Sequence, residues 1–467
     1  MKKTLAFLIL LSGCAVGPDY ERPAAVVSDV YRETQQAWKE AQPRDEIARG
    51  KWWEIFADLQ LNALVEKVEV SNQSLAASEA QFRQAQAAIS VARGAFFPAV
   101  DANASITRSR SPVGVTGGVT AGRIITQRSA GVSSNWEVDL WGRIRRQIEA
   151  AEASFGASAG DLASARLSLQ AQLAADYFQL RLLDVQKQLL DDTVAAFRKS
   201  LDLTNNRYNV GVAAKADVVQ ADAQLKSTLV QAVDLGVQRA QLEHAIAILA
   251  GVPPAQFTIA PQPTYDAALP VVPPGLPSAL LERRPDVAAA ERRMAAANAQ
   301  IGVAQAAFFP QFTLGASYGF RSADAATWFT APSHFWSLGP ALAMNLFDAG
   351  LRRAQKEQAI AAYDATVANY RSIALTALQE VEDNLAALRI LEEEAKLQQD
   401  SVDAARQSVA LTVNQYKAGT VSYLNVVTVQ ANLLNEERAA VAILNRRLAA
   451  TVALVRALGG GWQKKDF

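Results

Sequence analysis

NAQIGVAQAAFFPQFTL, residues 298–314, changes its period part-way along. Up to Phe309 the residues are small apolar or polar with no Pro, and Ile301, Ala304 and Phe308 recur at i, i+3 and i+7, which predicts a helix. Pro310 ends it, because proline cannot sit in a helix interior and drives Phe309 out of the α region. Beyond it Phe312, Leu314, Ala316, Tyr318 and Phe320 alternate with Thr313, Gly315, Ser317, Gly319 and Arg321, the period of a strand. The same junction occurs once earlier. Ala95-Phe96-Phe97-Pro98 is followed by Val100, Ala102, Ala104 and Ile106, alternating with Asp101, Asn103, Ser105 and Thr107. One helix-to-strand junction used twice implies an internal duplication.

The surrounding pattern repeats with it. Strands are expected near 99–110 and 129–141, with a Gly/Ser/Thr-rich loop between them, and again near 311–321 and 334–347. Each pair leads into a long segment almost free of Gly and Pro, 142–209 and 350–416. At about 1.5 Å per residue such a helix is roughly 100 Å long, more than any globular core is thick. A Gly-containing turn and a returning helix follow each time, the pattern of an antiparallel coiled-coil hairpin. Tyr208 and Gly211 match Tyr416 and Gly419, and Asp217 matches Asn425, at the same spacing. The chain thus divides into a signal segment 1–13, a tether 14–58, a first repeat 59–251 (helix, β-hairpin 99–141, helical hairpin 142–250), a Pro-rich linker 252–285, a second repeat 286–460 (helix, β-hairpin 311–347, helical hairpin 350–458) and a tail 461–467. Helix is expected from Asp58 to Phe97 without a break, and the linker is read as joining the halves without folding itself.

Composition narrows the class. Lys plus Arg equals Asp plus Glu at 46 each, so no global field favours nucleic acid. Lys2 and Lys3, the apolar run Leu5–Leu11 and the tetrapeptide Leu11-Ser12-Gly13-Cys14 form a secretory signal that is too short to span a bilayer. The tetrapeptide resembles a bacterial lipobox, which implies cleavage before Cys14 and acylation there. Ala15, rather than Asp, follows, which favours the outer membrane. Cys14 is the only cysteine, so disulfides and Cys–metal sites are excluded. No later run is apolar and long enough for a transmembrane helix, so any crossing must use strands. Strands of about a dozen residues suffice. Four cannot close a barrel, and an open edge cannot face lipid; two chains would give eight strands, and three would give twelve and a wider lumen. Trp136, Trp141, Trp336, Phe320 and Phe347 fall near strand ends, as an aromatic girdle would. Pro340 fits a strand only at an edge or bulge.

His244 and His334 are isolated from each other, and no HExxH, phosphate-binding Gly loop or Gly-x-Ser-x-Gly occurs. Asp191-Asp192 and Glu392-Glu393-Glu394 lie in long helices as solvated faces. No enzyme, metal or cofactor is expected.

Cys14-Ala15-Val16-Gly17-Pro18-Asp19-Tyr20 with Arg22-Pro23, Leu281-Glu282-Arg283-Arg284-Pro285-Asp286-Val287, and Ile301-Gly302 to Phe309-Pro310 together resemble the TolC-like outer-membrane efflux factors. More narrowly they resemble the lipoprotein branch, of NodT or OprM type, that serves resistance–nodulation–division pumps. The resemblance implies a mainly α fold with a small β part: a trimeric α-helical barrel continued by a 12-stranded transmembrane β-barrel, four strands per protomer. An equatorial belt would come from the termini and the linker. A periplasmic adaptor and an inner-membrane pump are the implied partners of this passive exit duct, anchored in outer-membrane lipid. It further implies a constriction just after the second hairpin's turn, within 416–428. There Leu424 would form a threefold apolar ring, resisting water and ions by dewetting. Asn425 and Thr428 stand where relatives carry acids, and Asp217 is the only acid at an equivalent place. Tyr208, Gly211, Tyr416 and Gly419 would shape the turns and dock the adaptor.

Two other readings use the same residues: the exit tube of a type I protein-secretion system, and a non-conducting coiled-coil envelope lipoprotein. The alternating strands speak against the second. If Cys14 is acylated, radiolabelled palmitate enters the wild-type protein and not Cys14→Ser; equal labelling of both removes the anchor.

Overall fold

The computed structural model describes residues 15–23, 31–34, 50–110, 124–265, 269–272 and 283–460, so Cys14 and the signal segment lie outside the described residues. In chain order the elements are α1 (Leu59–Ser71), α2 (Gln73–Gly94), β1 (Ala99–Arg110), β2 (Ile124–Glu137), α3 (Arg143–Asn209), α4 (Lys215–Leu249), α5 (Pro285–Ala306), β3 (Gln311–Ser322), β4 (His334–Ala343), α6 (Leu351–Lys417) and α7 (Tyr423–Ala457). The duplication is quantitative: α3 and α6 each have 67 residues, and α4 and α7 each have 35.

Two compact units cut across both repeats. The first takes in residues 15–23, Gln81–Ser158 and Ala289–Tyr370, and holds all four strands in one antiparallel sheet, β1-β2-β3-β4. Its central pairing, β2 with β3, joins one repeat to the other, with Val132 opposite Tyr318. The register carries every even-numbered position to one face. Val100 and Ile106 of β1, Val132 and Trp136 of β2, Phe312, Leu314 and Tyr318 of β3, and Trp336, Leu338 and Leu342 of β4 share it. The opposite face carries Asp101, Asn103, Ser133, Ser317 and Ser337; there Asn103 Nδ2 donates to Ser133 Oγ at 3.3 Å, and the Ser317 and Ser337 hydroxyls meet at 2.8 Å. Every residue of β1 is exposed, as expected of a strand with no partner on its outer side. Pro340 sits opposite Leu314 on β4, the other edge, where a missing N–H is tolerated.

Both proline junctions are built alike. Each helix stops four residues before its proline and closes with tighter i→i+3 bonds: Phe96 and Phe97 donate to Arg93 and Gly94, Phe308 and Phe309 to Gln305 and Ala306. An indole then fastens each one. Trp136 Nε1 donates to the Phe96 carbonyl and Trp141 Nε1 to the Pro310 carbonyl, both at 2.8 Å. Trp141 also stacks on Phe309, with ring centroids 4.8 Å apart, so it belongs to the junction and not to an aromatic belt. At the far strand ends Phe320 meets Phe329 at 5.6 Å, and Tyr318 meets His334 at 4.8 Å. β2 and β4 stop earlier than expected, at Glu137 and Ala343. Beyond β2 the Asp139 carboxylate accepts the Ile144 and Arg145 N–H groups, turning the chain into α3.

The N-terminal segment explains why two of the three separated motifs occur together. Val16 N–H donates to the Trp141 carbonyl, and a Cβ on Gly17 would lie 2.4 Å from Gly302 Cα. Arg146, only 5% exposed, donates to the carbonyls of Val16 and Gly17 and to Asp19, while Asn298 Nδ2 donates to the Pro18 carbonyl. Gly17 and Gly302 are thus parts of one contact.

The second unit takes in the described parts of 25–80, Ala159–Ala288 and Arg371–Phe467. Its main core gathers Trp52, Trp53, Phe56, Leu61, Val65, Val68, Leu173, Tyr177, Phe178, Ile246, Leu448 and Val452. Burying such side chains contributes roughly 2 kcal/mol each. Two expectations are corrected here. The helix expected from Asp58 to Phe97 breaks at Asn72, whose extended backbone and Oδ1, accepting the Leu75 N–H, start α2 afresh. The described start of the linker is packed down, not loose. Ile259 is buried, and the neighbouring carbonyls of Ile259 and Ala260 accept from Arg239 and Arg181. Asp184, 4% exposed, pairs with both arginines and accepts the Gln262 N–H. Proline removes backbone donors without preventing such side-chain fastening.

Gly319 tests the register. A Cβ there would stand 2.4 Å from the Ala130 carbonyl oxygen, whereas one on Gly339, on the same polar face, meets nothing within 4 Å. Gly319→Val is expected to abolish most of the heat-modifiable folded form on gels, and Gly339→Ala to retain it.

Candidate functional site

The turn residues at the two helical-hairpin tips are set by backbone geometry. Gly211 and Gly419 adopt φ of +77° and +79°, which an L side chain disfavours. Each closes its helix with the same double bond: Gly211 N–H to Tyr208 O with Val212 N–H to Arg207 O, and Gly419 N–H to Tyr416 O with Thr420 N–H to Gln415 O. The returning helix α4 starts at Ala214, which has no capping oxygen; Asp217 reaches back and accepts the Ala214 N–H at 3.3 Å. Asp217 is therefore tied into a cap, half-buried, and its carboxylate is already in use.

Between the tips lies a small apolar cluster of Ala221, Tyr416, Tyr423, Val426 and Val427, with Leu201, Leu203, Val413 and Val421 against it. Tyr416 is 3% exposed and its ring lies 5.5 Å from that of Tyr423. Burial pushes the Tyr423 hydroxyl up to about 12. Three contacts from the first hairpin hold Tyr416. Its hydroxyl lies 3.3 Å from Thr204 Oγ1, Arg207 Nη1 donates to its carbonyl at 2.6 Å, and the Arg207 guanidinium covers its ring at 4.6 Å. Such a contact, cationic on both ring and carbonyl, is worth about 1–3 kcal/mol.

Leu424, Asn425 and Thr428 point the other way. Leu424 is 54% exposed, and the three form one uncharged exposed stripe on the first turn and a half of α7, beside buried Tyr423, Val426 and Val427. The structure therefore sets Leu424 and Asn425 side by side on the exposed stripe, while the Asp217 carboxylate serves as a helix cap. Of the four turn residues, Tyr208 stays 40% exposed under Lys215, whose Nζ lies 5.3 Å from its ring, and Gly211 and Gly419 are open. Tyr416 has no side chain free for docking; it shapes the turn by packing inside. Arg207 and Thr204 escaped the sequence reading. The one available signal was asymmetry: the position matching Arg207 in the second repeat is Gln415.

A family model described as outer membrane efflux protein matches residues 64–252 and 276–460, one segment per repeat. The chain belongs to that family. The toluene efflux pump outer membrane protein TtgC of Pseudomonas putida is 32% identical to it over 459 residues, 98% of this chain and 94% of the relative. The pyoverdine export outer membrane protein OpmQ of Pseudomonas aeruginosa is 31% identical over 461 residues, covering 98% and 97%. The outer-membrane channel OprN superposes with a TM-score of 0.87 at 32% identity, over 96% of this chain and all of that one. The fold is that of the efflux channels, mainly α with a small β part, and this efflux protein is the outer-membrane channel component of an efflux pump. Its relatives are transport components, not enzymes.

Arg207→Ala removes the guanidinium from the Tyr416 carbonyl and ring while leaving the apolar cluster in place. Single-channel recording should show longer or more frequent open events than wild type, with thermal unfolding little changed; identical gating means the contact does not hold the tips.

Proposed function

We propose that three copies of this efflux protein close one twelve-stranded barrel in the outer membrane, continued into the periplasm by their helical hairpins. The observation that carries it is the register: one face that is apolar except at the loop end, where Arg108, Arg110 and Arg128 fall on it, one hydroxyl-rich face, and two free edges on β1 and β4. In hydrocarbon an unpaired edge leaves N–H and C=O groups without water, so β1 of one copy must pair with β4 of the next. Twelve strands enclose an aqueous bore, and the hydroxyl-rich face lines it.

The duct narrows at the second hairpin tip. Three Leu424 side chains form the apolar ring, Asn425 and Thr428 give it a neutral rather than acidic rim, and Asp217 acts as a cap outside it. The exposed surface of Tyr208, Val210, Gly211 and Val212 suits the apolar tips of a periplasmic adaptor, which couples the duct to an inner-membrane resistance–nodulation–division pump. Cys14 carries the lipid anchor; the docking of Val16 on Trp141 supports a tether fixed near the strand–helix junction. The cargo is a small molecule. Relatives named for toluene and for pyoverdine differ too much to assign one.

In planar bilayers Leu424→Ser is expected to raise resting ion leakage of the trimer several-fold by wetting the ring. Unchanged conductance removes Leu424 from the gate, and a detergent-free soluble monomer overturns the barrel.

A further inference from the structure

The hydroxyl-rich face of the sheet carries one exception to its own chemistry. In the register this face takes the odd-numbered positions of all four strands. Among these described positions Arg321 is the one Lys or Arg, and Phe335 is the one aromatic residue. The two stand together, at the strand ends that lead into the β3–β4 loop and away from the helices. The backbone beside them is cleared of side chains. Phe335 lies opposite Gly319, Gly319 faces Gly131, and a Cβ on Gly319 would come within 3.1 Å of Phe335 Cε1. The ring thus reaches across a glycine rung, and the Arg321 guanidinium covers it with Cζ 4.7 Å from the centroid.

Stacking of this kind uses a face of the guanidinium and leaves its edge free. Arg321 is exposed, and among the described residues none of its five N–H groups meets an acceptor. The carboxylates of the same face are engaged or distant. Glu137 accepts from Arg143 and from Gln311. Asp101 lies four residues farther along and two strands across, roughly 17 Å from Arg321 between backbones and beyond a Debye length of about 8–10 Å. Asp324, in the β3–β4 loop, accepts the Ala326 N–H and makes no ion pair with Arg321.

The rung itself adds hydroxyls. Ser129 is directly opposite Arg321, and Ser105 is opposite Ser129 on the next strand. A held cation with a free edge, an aromatic ring beside it and hydroxyl donors along the rung make a site for a ligand that is both anionic and flat.

We propose that Arg321 and Phe335 form a binding station for small aromatic anions at the outward end of the bore, one per protomer. This rests on the closed-barrel reading, in which the hydroxyl-rich face lines the bore, and it narrows the cargo to a chemical class. A carboxylate accepts two N–H groups from the guanidinium edge, while the ligand's ring stacks on the guanidinium face that Phe335 leaves open. Neutral aromatics lack the charge and aliphatic anions lack the ring, so only a ligand with both uses the whole pair. The bore is narrow enough for the charge to be felt. Twelve strands spaced about 4.8 Å and tilted about 40° place opposite walls roughly 24 Å apart, and the Arg side chains bring three cations within about a Debye length of the axis.

The test uses the full-length protein in lipid nanodiscs, with binding read from fluorine NMR line broadening. The probes are para-fluorobenzoate and the neutral para-fluorobenzyl alcohol, with unlabelled benzoate and acetate as competitors. Wild type should bind the fluorobenzoate about fivefold more tightly than the alcohol, and acetate should displace it only at about tenfold higher concentration than benzoate. Arg321→Gln should lose the preference for the anion, and in Phe335→Leu the two competitors should converge. Equal binding of both probes by wild type, an arm that needs no variant, overturns the proposal. Equal displacement by acetate and benzoate overturns the aromatic assignment. A preference unchanged in Arg321→Gln removes the site from this face and overturns it as well. Heat-modifiability is read on the same samples. A wild type without a heat-modifiable trimer removes the barrel reading and the station with it, whereas an intact trimer that treats the probes alike removes the station alone.

Discussion

A peptide group in hydrocarbon has nothing to bond to but another peptide group, and this requirement governs the chain. It forbids lone strands, loops and open edges at membrane depth. The protein answers with two β-hairpins, one from each repeat, joined edge to edge through β2 and β3. Because side chains alternate with a period of two, a slip of one residue would turn Trp336, Leu338 and Leu342 inward and the serines outward. Direct steric limits hold the register: Gly131 faces Gly319 where no Cβ fits between the strands. The two outer edges that remain are the protein's instruction for assembly.

The junctions convert that sheet into helices without leaving backbone groups unmet. Proline ends the incoming helix, a tightened turn absorbs its last donors, and an indole from the neighbouring strand region takes a junction carbonyl. The N-terminal segment then locks onto the second junction's helix through Arg146 and the Gly17–Gly302 approach. N-terminal segment, strand base and helix start form one fastening.

The two halves began as equivalent sequence, and the tips show how far they have parted. Tyr208 and Tyr416 occupy matched positions before matched glycines. One is an exposed ring under a lysine; the other is buried beneath Arg207, with its hydroxyl against Thr204. Asp217 and Asn425 are likewise matched, yet the acid is consumed as a helix cap while the amide lies on the exposed stripe with Leu424. These different uses are assigned by how the two tips pack, and a period in the sequence carries no information on that.

The sequence by itself determined the four strands and the four long hairpin helices: strand periods, proline stops, long stretches without Gly or Pro and the paired turn glycines placed them to within a few residues. These are local properties, set by backbone sterics and alternation. The resemblance in its three motifs was legible too, though not why they travel together. Tertiary structure alone decided that Gly17 touches Gly302, that Trp52 and Trp53 head a core instead of ending a tether, that Asn72 splits a helix, and that Pro-rich chain is nailed down by Asp184 and two arginines. Apart from the Asn72 cap, whose Oδ1 is taken three residues on, each depends on partners dozens to hundreds of residues away. A contact of that kind is settled by which surfaces meet after folding, and neither partner's neighbourhood in the chain records it.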